Sequence, residues 1–276
     1  MARGSAPRRV AGRYRGAMTN QAQRAQTLSD LHAAPEILRV VNVWDVVSAK
    51  AIIDLPETRA LATAGHSIAA TFGYADGENI PLDLMLDMVG RIVAVAGDLP
   101  VSADLDAGFG DPGETTRRAI GVGVVGANVE DRLKPLADSV AAVEAIVAAG
   151  EAEGVPFALN ARTDAFVRAG DRPVEQSIAD AIERGRAYLD AGADVVFVPG
   201  PLDADITRQL VAGIGERKVS VIGLPGALTA AEYEALGVAR ISYGPMTQRV
   251  ALTALQDVAK SLYADGVIPA STRALN

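Results

Sequence analysis

Two aspartates, Asp104 and Asp106, stand one residue apart in the stretch VSADLDAGFG, which spans Val101–Gly110. An apolar run leads into this stretch. Alternate side chains of a strand point to the same face, so we expect both carboxylates to project from one side of a strand end. Carboxylates held this close repel each other unless a cation or a proton lies between them. The pattern predicts either a divalent-metal site or an exposed acidic turn, and this stretch alone leaves both open.

Polar residues follow four other short apolar runs of the chain. They are Trp44 and Asp45 after 38–43, Ala64, Gly65 and His66 after 59–63, Glu130 and Asp131 after 124–129, and Asn160 and Arg162 at the end of 157–161. Acidic residues at several strand ends are a more specific signal than one acidic turn. They favour the metal site, provided that the fold brings these ends together.

The fold that would do so is an α/β (β/α)₈ TIM barrel. Eight short apolar runs alternate with helical patterns, which is typical of a parallel sheet, and 276 residues is an ordinary length for such a barrel. No Gly-x-Gly-x-x-Gly motif opens a helix after the first run, which argues against a dinucleotide fold. We expect one barrel domain over 19–276, preceded by a basic, disordered extension over 1–18. Catalytic groups of such barrels gather at the carboxyl ends of the strands.

Composition limits the classes of partner and of metal that the protein is expected to bind. The formal net charge of −8 disfavours nucleic acid and anionic membranes as partners. The chain has no cysteine and only two histidines, which excludes thiolate metal sites and leaves oxygen ligands, the preference of Mg²⁺ or Mn²⁺. No apolar run is long enough for a membrane helix and no secretory signal is evident, so a cytoplasmic protein is expected.

These residue types suggest individual roles. Asp106 is expected to bind the metal directly, while Asp104 and Glu130 act partly through water. Arg162 has the forked geometry that binds a substrate carboxylate, or it pairs with Glu130 or Asp104, and the two roles are compatible. His66, expected in a loop, is either an acid–base group or a donor through its backbone.

Six motifs of the chain occur in an order that resembles the isocitrate lyase/phosphoenolpyruvate mutase superfamily. They read NVWD at 42–45, TAG at 63–65, GYAD at 73–76, DLDAGFG at 104–110, VED at 129–131 and NARTDA at 160–165. The resemblance covers most of the chain, from about residue 42 to residue 244.

The resemblance implies a Mg²⁺ site near Asp104, Asp106 and Glu130 and a 2-oxo acid substrate that chelates the metal. It also implies that the amides of Gly65 and His66 bind the substrate carboxylate. The full predicted set is Trp44, Ala64, Gly65, His66, Asp104, Asn160 and Arg162 for substrate, with Arg162, Asp76 and Glu130 as catalytic groups. Members of the superfamily exchange their last helix between subunits, so we expect a homodimer or homotetramer.

One departure from the superfamily pattern bears on the reaction. Lyases of the superfamily carry a loop with a catalytic cysteine after the VED strand, and here that segment is short and reads RLKPLAD. Isocitrate or methylisocitrate cleavage is therefore disfavoured. A cysteine-lacking, mutase-like member with Mg²⁺ and a metal-stabilised enolate is expected instead. Oxaloacetate decarboxylation is the leading reaction, because it needs no protein nucleophile.

Two alternatives remain open at the level of sequence. One is carbon–phosphorus chemistry, in a phosphonopyruvate mutase or hydrolase. The other is a 2-oxo acid binding protein without catalytic activity, which the short loop favours and the retained carboxylates disfavour.

Overall fold

The computed structural model describes residues 20–275, and the predicted basic extension over 1–18 lies outside them. Within this range, nine parallel strand segments form one sheet whose order is β1-β9-β8-β7-β6-β5-β4-β3-β2. The strands are β1 Leu38–Val40, β2 Asn42–Val43, β3 Leu61–Thr63, β4 Val101–Asp104, β5 Gly126–Glu130, β6 Ala158–Arg162, β7 Val195–Phe197, β8 Val219–Ile222 and β9 Arg240–Ser242.

The sheet is a nearly closed barrel. β1 pairs with β9 and β2 pairs with β3, and only Val41 separates β1 from β2 along the chain. The two segments therefore act as one strand that joins both edges of the sheet. This confirms the predicted (β/α)₈ TIM barrel.

Ten helices of the described chain connect and cover the strands. They are α1 Asn20–Ala33, α2 Val46–Ile53, α3 Gly65–Thr71, α4 Leu82–Ala96, α5 Pro112–Gly121, α6 Leu136–Ala152, α7 Val174–Asp190, α8 Ala204–Ile214, α9 Ala230–Ala235 and α10 Met246–Ala264. No helix in residues 20–275 is long and apolar enough to cross a bilayer.

Local sequence explains where several helices begin. Asp45 accepts a hydrogen bond from the N–H of Ser48 at the start of α2, and Asp111 does the same for Glu114 in α5. Thr229 and Glu232 form a reciprocal capping box at α9. These caps satisfy backbone N–H groups that have no partner within the helix. Three of the strand–helix junctions are thus fixed by short-range signals.

The core fills the space between barrel and helices, and α1 lies against the barrel. Leu28 of α1 is fully buried in this core, and a Cβ on Gly126 of β5 would lie 2.8 Å from its side chain. Glycine at this position therefore permits the close approach of helix and strand.

The last helix, α10, packs differently from the others. Only Gln248 of this helix is buried, while Val250, Leu252 and Leu255 are each more than half exposed. Apolar side chains on an otherwise solvated helix indicate an unpartnered surface. Exchange of this helix between subunits stays a prediction.

Candidate active site

A cavity of about 740 Å³ lies at the carboxyl ends of the strands, and we call it the mouth cavity. Loops after β3, β4, β5, β6 and β9 contribute to it. Its lining residues are His66, Asp76, Gly77, Asp104, Asp106, Glu130, Arg132, Arg162, Asp164, Val167, Arg168, Pro245 and Arg249. The fold thus brings together Asp104, Asp106, Glu130 and Arg162, which are separated by up to 58 residues of sequence.

Asp104 is held at the last position of β4 by two hydrogen bonds. Its Oδ2 accepts from the N–H of Gly65 at 2.9 Å, and its own N–H donates to Thr63 Oγ1 at 3.0 Å. A Cβ on Gly65 would lie 3.2 Å from Asp104 Oδ2, so the approach depends on glycine. Burial raises the pKa of the Asp104 carboxyl, while Arg162 and the Gly65 amide oppose that shift. In this structure the Gly65 amide, predicted to bind substrate, donates to Asp104.

Asp106 occupies a strained turn directly after β4. Its φ of 48° lies in the left-handed region, which costs a non-glycine residue about 1–3 kcal/mol. The residue is 8% exposed, and no side chain or amide of residues 20–275 forms a hydrogen bond with its carboxylate. Burial, reinforced by the charges of Asp104, Asp76 and Glu130, raises the pKa of Asp106 to about 8. A buried carboxylate without a partner, among other carboxylates, is suited to a cation.

Glu130 and Arg162 lie opposite each other in the β5–β6 register and form an ion pair. The distance from Arg162 Nη1 to Glu130 Oε2 is 2.8 Å, and Arg162 Nε donates to Asp164 Oδ1 at 2.8 Å. Burial lowers the pKa of Arg162, but Glu130 and Asp164 outweigh this effect and raise it overall. Arg162 therefore has a fixed orientation at the cavity wall. It lines the mouth cavity while it is paired with Glu130.

Glu78 and Arg132 connect two loops across the mouth cavity, and neither was singled out from the sequence. Glu78 Oε1 accepts from the N–H of Phe109 at 2.6 Å, and Glu78 Oε2 pairs with Arg132 Nη1 at 3.1 Å. Arg132 Nε donates in turn to Glu130 Oε1 at 3.0 Å. Glu78 thus fixes the turn after β4. Its only sequence signal was its position two residues after Asp76.

Asp131 lies next to Glu130 in sequence but faces away from the mouth cavity. Its Oδ1 accepts from the N–H groups of Leu133 and Asp164 at 2.9 and 3.0 Å. Its Oδ2 accepts from the hydroxyl of Tyr188 at 2.7 Å and from Arg184 Nη1 at 3.2 Å. We call Asp131, Arg184 and Tyr188 the Asp131 cluster. It ties the short loop after β5 to the end of β6 and to α7.

Three predicted substrate-binding residues lie beside the first turns of α2 and α3. His66 lies on α3 rather than in a loop, and its Nδ1 is 3.2 Å from Asp76 Oδ2 at the cavity edge. Ala64 is buried behind the start of that helix. Trp44 packs against the core near α2.

The structure also does not bring Asn160 to the mouth cavity. It is fully buried inside the barrel, where its Nδ2 donates to Asn128 Oδ1 at 2.7 Å and to Ser220 Oγ at 3.3 Å. Asn160 and Arg162 share the inward face of β6, but Asn160 lies two residues deeper. Asn160 therefore forms its hydrogen bonds with barrel residues and does not line the mouth cavity.

The family model for phosphoenolpyruvate phosphomutase matches residues 28–263 of the chain. The chain belongs to the isocitrate lyase/phosphoenolpyruvate mutase superfamily. It is similar to a Burkholderia cenocepacia J2315 structure provisionally named a phosphonomutase, with 35% identity and a TM-score of 0.81 over 87% of this chain and 99% of that one.

Two curated relatives catalyse different reactions. An oxaloacetate decarboxylase from Rhodopseudomonas palustris strain HaA2 is 30% identical over 84% of this chain and 82% of its own. A 2,3-dimethylmalate lyase from Eubacterium barkeri is 28% identical over 87% and 86% respectively. The superfamily therefore includes both lyases and mutases among this chain's relatives.

The donor set of the mouth cavity fits the divalent metal on which superfamily members generally depend. Within residues 20–275, no three Asp, Glu or His side chains are close enough to enclose a metal by themselves. Mg²⁺ needs no such enclosure, because it keeps several waters and takes one or two direct carboxylates. Asp106 has an unpartnered carboxylate for this purpose. Asp104 and Glu130 hold hydrogen-bonding partners and are placed to act through water.

Proposed function

We propose that the protein is a Mg²⁺-dependent lyase that cleaves a carbon–carbon bond of a small 2-oxo acid, with oxaloacetate as its substrate. Mn²⁺ is the alternative metal. The observation that carries this proposal is the mouth cavity, in which Asp104, Asp106 and Glu130 face Arg162 in a chain without cysteine. The similarity to a curated oxaloacetate decarboxylase supports it.

Asp106 would hold the metal, with Asp104 and Glu130 in contact through water. When bound, the metal supplies a Lewis acid for the 2-oxo group and its neighbouring carboxylate. Arg162 is fixed by Glu130 and Asp164, so its remaining N–H groups can orient a substrate carboxylate with little loss of side-chain freedom. Arg162 is therefore assigned to substrate orientation.

Decarboxylation places few demands on the side chains. The electrons of the bond between C3 and the departing carboxylate move to C2–C3 as CO₂ leaves, which gives the enolate of pyruvate. A proton then adds at C3 to give pyruvate. No cysteine is present to donate it, and we assign the proton to a water molecule in the mouth cavity. Asp76 and His66, paired at the cavity edge, are placed to orient that water.

Incubation of the purified protein with oxaloacetate and Mg²⁺ tests the proposal directly. We expect pyruvate to form faster than with Mg²⁺ alone, and EDTA to abolish the difference. The Asp106→Asn variant should retain its fold and lose the metal-dependent rate. Pyruvate formation at the rate of free Mg²⁺ would refute the assignment of the substrate.

Carbon–phosphorus chemistry is the second candidate. Arg132, Arg168 and Arg249 line the mouth cavity together with Arg162, and a phosphonate dianion suits several guanidinium groups. The similarity to the B. cenocepacia structure points the same way. Phosphorus NMR of phosphonopyruvate with the protein and Mg²⁺ separates the candidates, since only this one converts the phosphonate signal. Tight 2-oxo acid binding without turnover of either substrate would instead indicate a binding protein.

We further propose that the protein forms a homodimer or homotetramer by exchanging α10. An apolar groove of about 400 Å³ lies beside the start of this helix, lined by residues that include Val41, Trp44, Ile52, Tyr243 and Met246. The groove and the exposed face of α10 are both apolar, so the helix of one subunit can cover the groove of another. Light scattering should give a multiple of the 28.5 kDa chain mass, and Leu255→Glu should reduce it. A monomeric wild type would refute the exchange.

A further inference from the structure

A buried arginine lies inside the barrel and does not line the mouth cavity. Arg240 is the first residue of β9, where it faces Ser220 on β8 and Leu38 on β1. It is fully buried, and its Nη1 is 3.4 Å from both Ser102 Oγ and His32 Nε2. His32 belongs to α1, which packs against this part of the barrel.

The opposite edge of this guanidinium has no protein partner. Nε and Nη2 of Arg240 are buried and form no hydrogen bond with any residue of 20–275. These two nitrogens present parallel N–H groups, the fork that in other proteins binds carboxylates, phosphates or other anions. Buried donors of this kind are rarely left without an acceptor.

The positive charge of Arg240 is also without a contacting counter-charge in the described chain. No carboxylate there forms an ion pair with it, and Asp104, which raises its pKa, acts only through space. Burial lowers the pKa of Arg240 to about 10, so the side chain stays protonated at neutral pH.

His32 does not supply an acceptor for Nε and Nη2 of Arg240. Burial and the neighbouring Arg240 lower the pKa of His32 well below its ordinary value, so the ring is neutral. Because the arginine donates to Nε2, the proton of the neutral ring is assigned to Nδ1, which also lacks a partner. The region therefore contains N–H donors and a net positive charge. Water accepts hydrogen bonds, but only an anion also neutralises the charge.

The geometry points to a binding site for a small inorganic anion of the chloride class at the Nε–Nη2 edge of Arg240. Burial of Arg240, Ser102 and His32 restricts the ligand to a small ion. The site is structural, since it fixes β9 and α1 against each other. It does not depend on the proposed reaction, and it is distinct from the mouth cavity.

Thermal unfolding of the full-length protein in sodium chloride and sodium gluconate at equal ionic strength tests this site. Chloride should raise the Tm, by about 3 °C for each tenfold increase in concentration above its dissociation constant. Arg240→Met should abolish the difference between the two salts. Arg39→Met is the matched control, because Arg39 is an exposed arginine on neighbouring β1 and should leave the difference intact.

A Tm that is equal in the two salts, or an equal chloride effect in Arg240→Met and wild type, would overturn the proposal. Wild-type crystals soaked in sodium bromide decide the matter if the variant fails to fold. An anomalous peak within hydrogen-bond distance of Arg240 Nε and Nη2 is the expected result. Density without anomalous signal would identify water and refute the anion site.

Discussion

Asp106 and Asp131 are both buried carboxylates at strand ends, yet their surroundings are opposite. The carboxylate of Asp131 accepts four hydrogen bonds, one of them from Arg184. The carboxylate of Asp106 has no hydrogen-bond partner in the described chain and lies among other carboxylates. Satisfied buried groups stabilise a fold, and unsatisfied ones at a cavity wall are typical of functional sites. The comparison distinguishes Asp131, which has a structural role, from Asp106, which is assigned to the chemistry. Both aspartates are nevertheless buried acids at strand ends.

Replacing the two aspartates should affect different properties. Asp106→Ala should lower the Mg²⁺-dependent rate on oxaloacetate by about 100-fold or more, because it removes the carboxylate that we propose as the direct metal ligand. Its unfolding free energy should change less than that of Asp131→Ala, since the lost carboxylate made no hydrogen bond and the main cost is alanine at a φ of 48°. Asp138→Ala, an exposed acid on α6, is the control and should retain the full rate. A fully active Asp106→Ala would defeat the metal assignment.

Asp131→Ala should instead destabilise the protein by about 3–5 kcal/mol, because it leaves Arg184 buried without its contact to Asp131. Urea unfolding measures this loss. Asp180→Ala removes another partner of the same arginine at a more exposed position and should cost clearly less. Equal losses in the two variants would show that the Asp131 cluster is no more important than a surface ion pair.

The pH dependence of stability should report on the Asp106 site. For Asp106 the ordinary pKa is 3.8 and the folded value is about 8, so between these values the folded state binds more protons than the unfolded state. Metal-free stability should therefore fall as pH rises through this window, by at most about 1.4 kcal/mol per pH unit.

The Asp106→Asn variant should flatten this slope, as measured by urea unfolding at pH 6, 7 and 8. Added Mg²⁺ should oppose the loss in the wild type but not in the variant. An identical slope in the two proteins would show that Asp106 is not the group responsible.

The smallest effect is expected at Tyr188. Tyr188→Phe removes one hydrogen bond from Asp131 and should cost about 1–1.5 kcal/mol of unfolding free energy while the rate on oxaloacetate is retained. Tyr233→Phe is a fitting control, since that buried hydroxyl donates a long 3.4 Å hydrogen bond to the carbonyl of Leu202 and contacts no carboxylate. A large loss of rate in Tyr188→Phe would extend the active site into the Asp131 cluster.

Much of the architecture could be read from the chain because barrel strands and caps are local signals. The apolar runs over 38–43, 59–63, 124–129 and 157–161 predicted their strands within about two residues, and the run that leads into Asp104 predicted β4. α3 was missed, because GHSIAAT is short and lacks a side-chain cap. Its start at Gly65 depends on contact with Asp104, which is distant in sequence.

The chain by itself determined the barrel, the superfamily and the acidic strand ends, since strand alternation and motif order are properties of sequence. Tertiary structure decided which polar residues meet. It placed Glu78 and Arg132 near Asp106 and kept Asn160 inside the barrel, at a depth that residue spacing does not reveal. It also left Arg240 buried without an acceptor. Burial and hydrogen-bond satisfaction depend on residues from many strands, and for that reason only the fold could assign them.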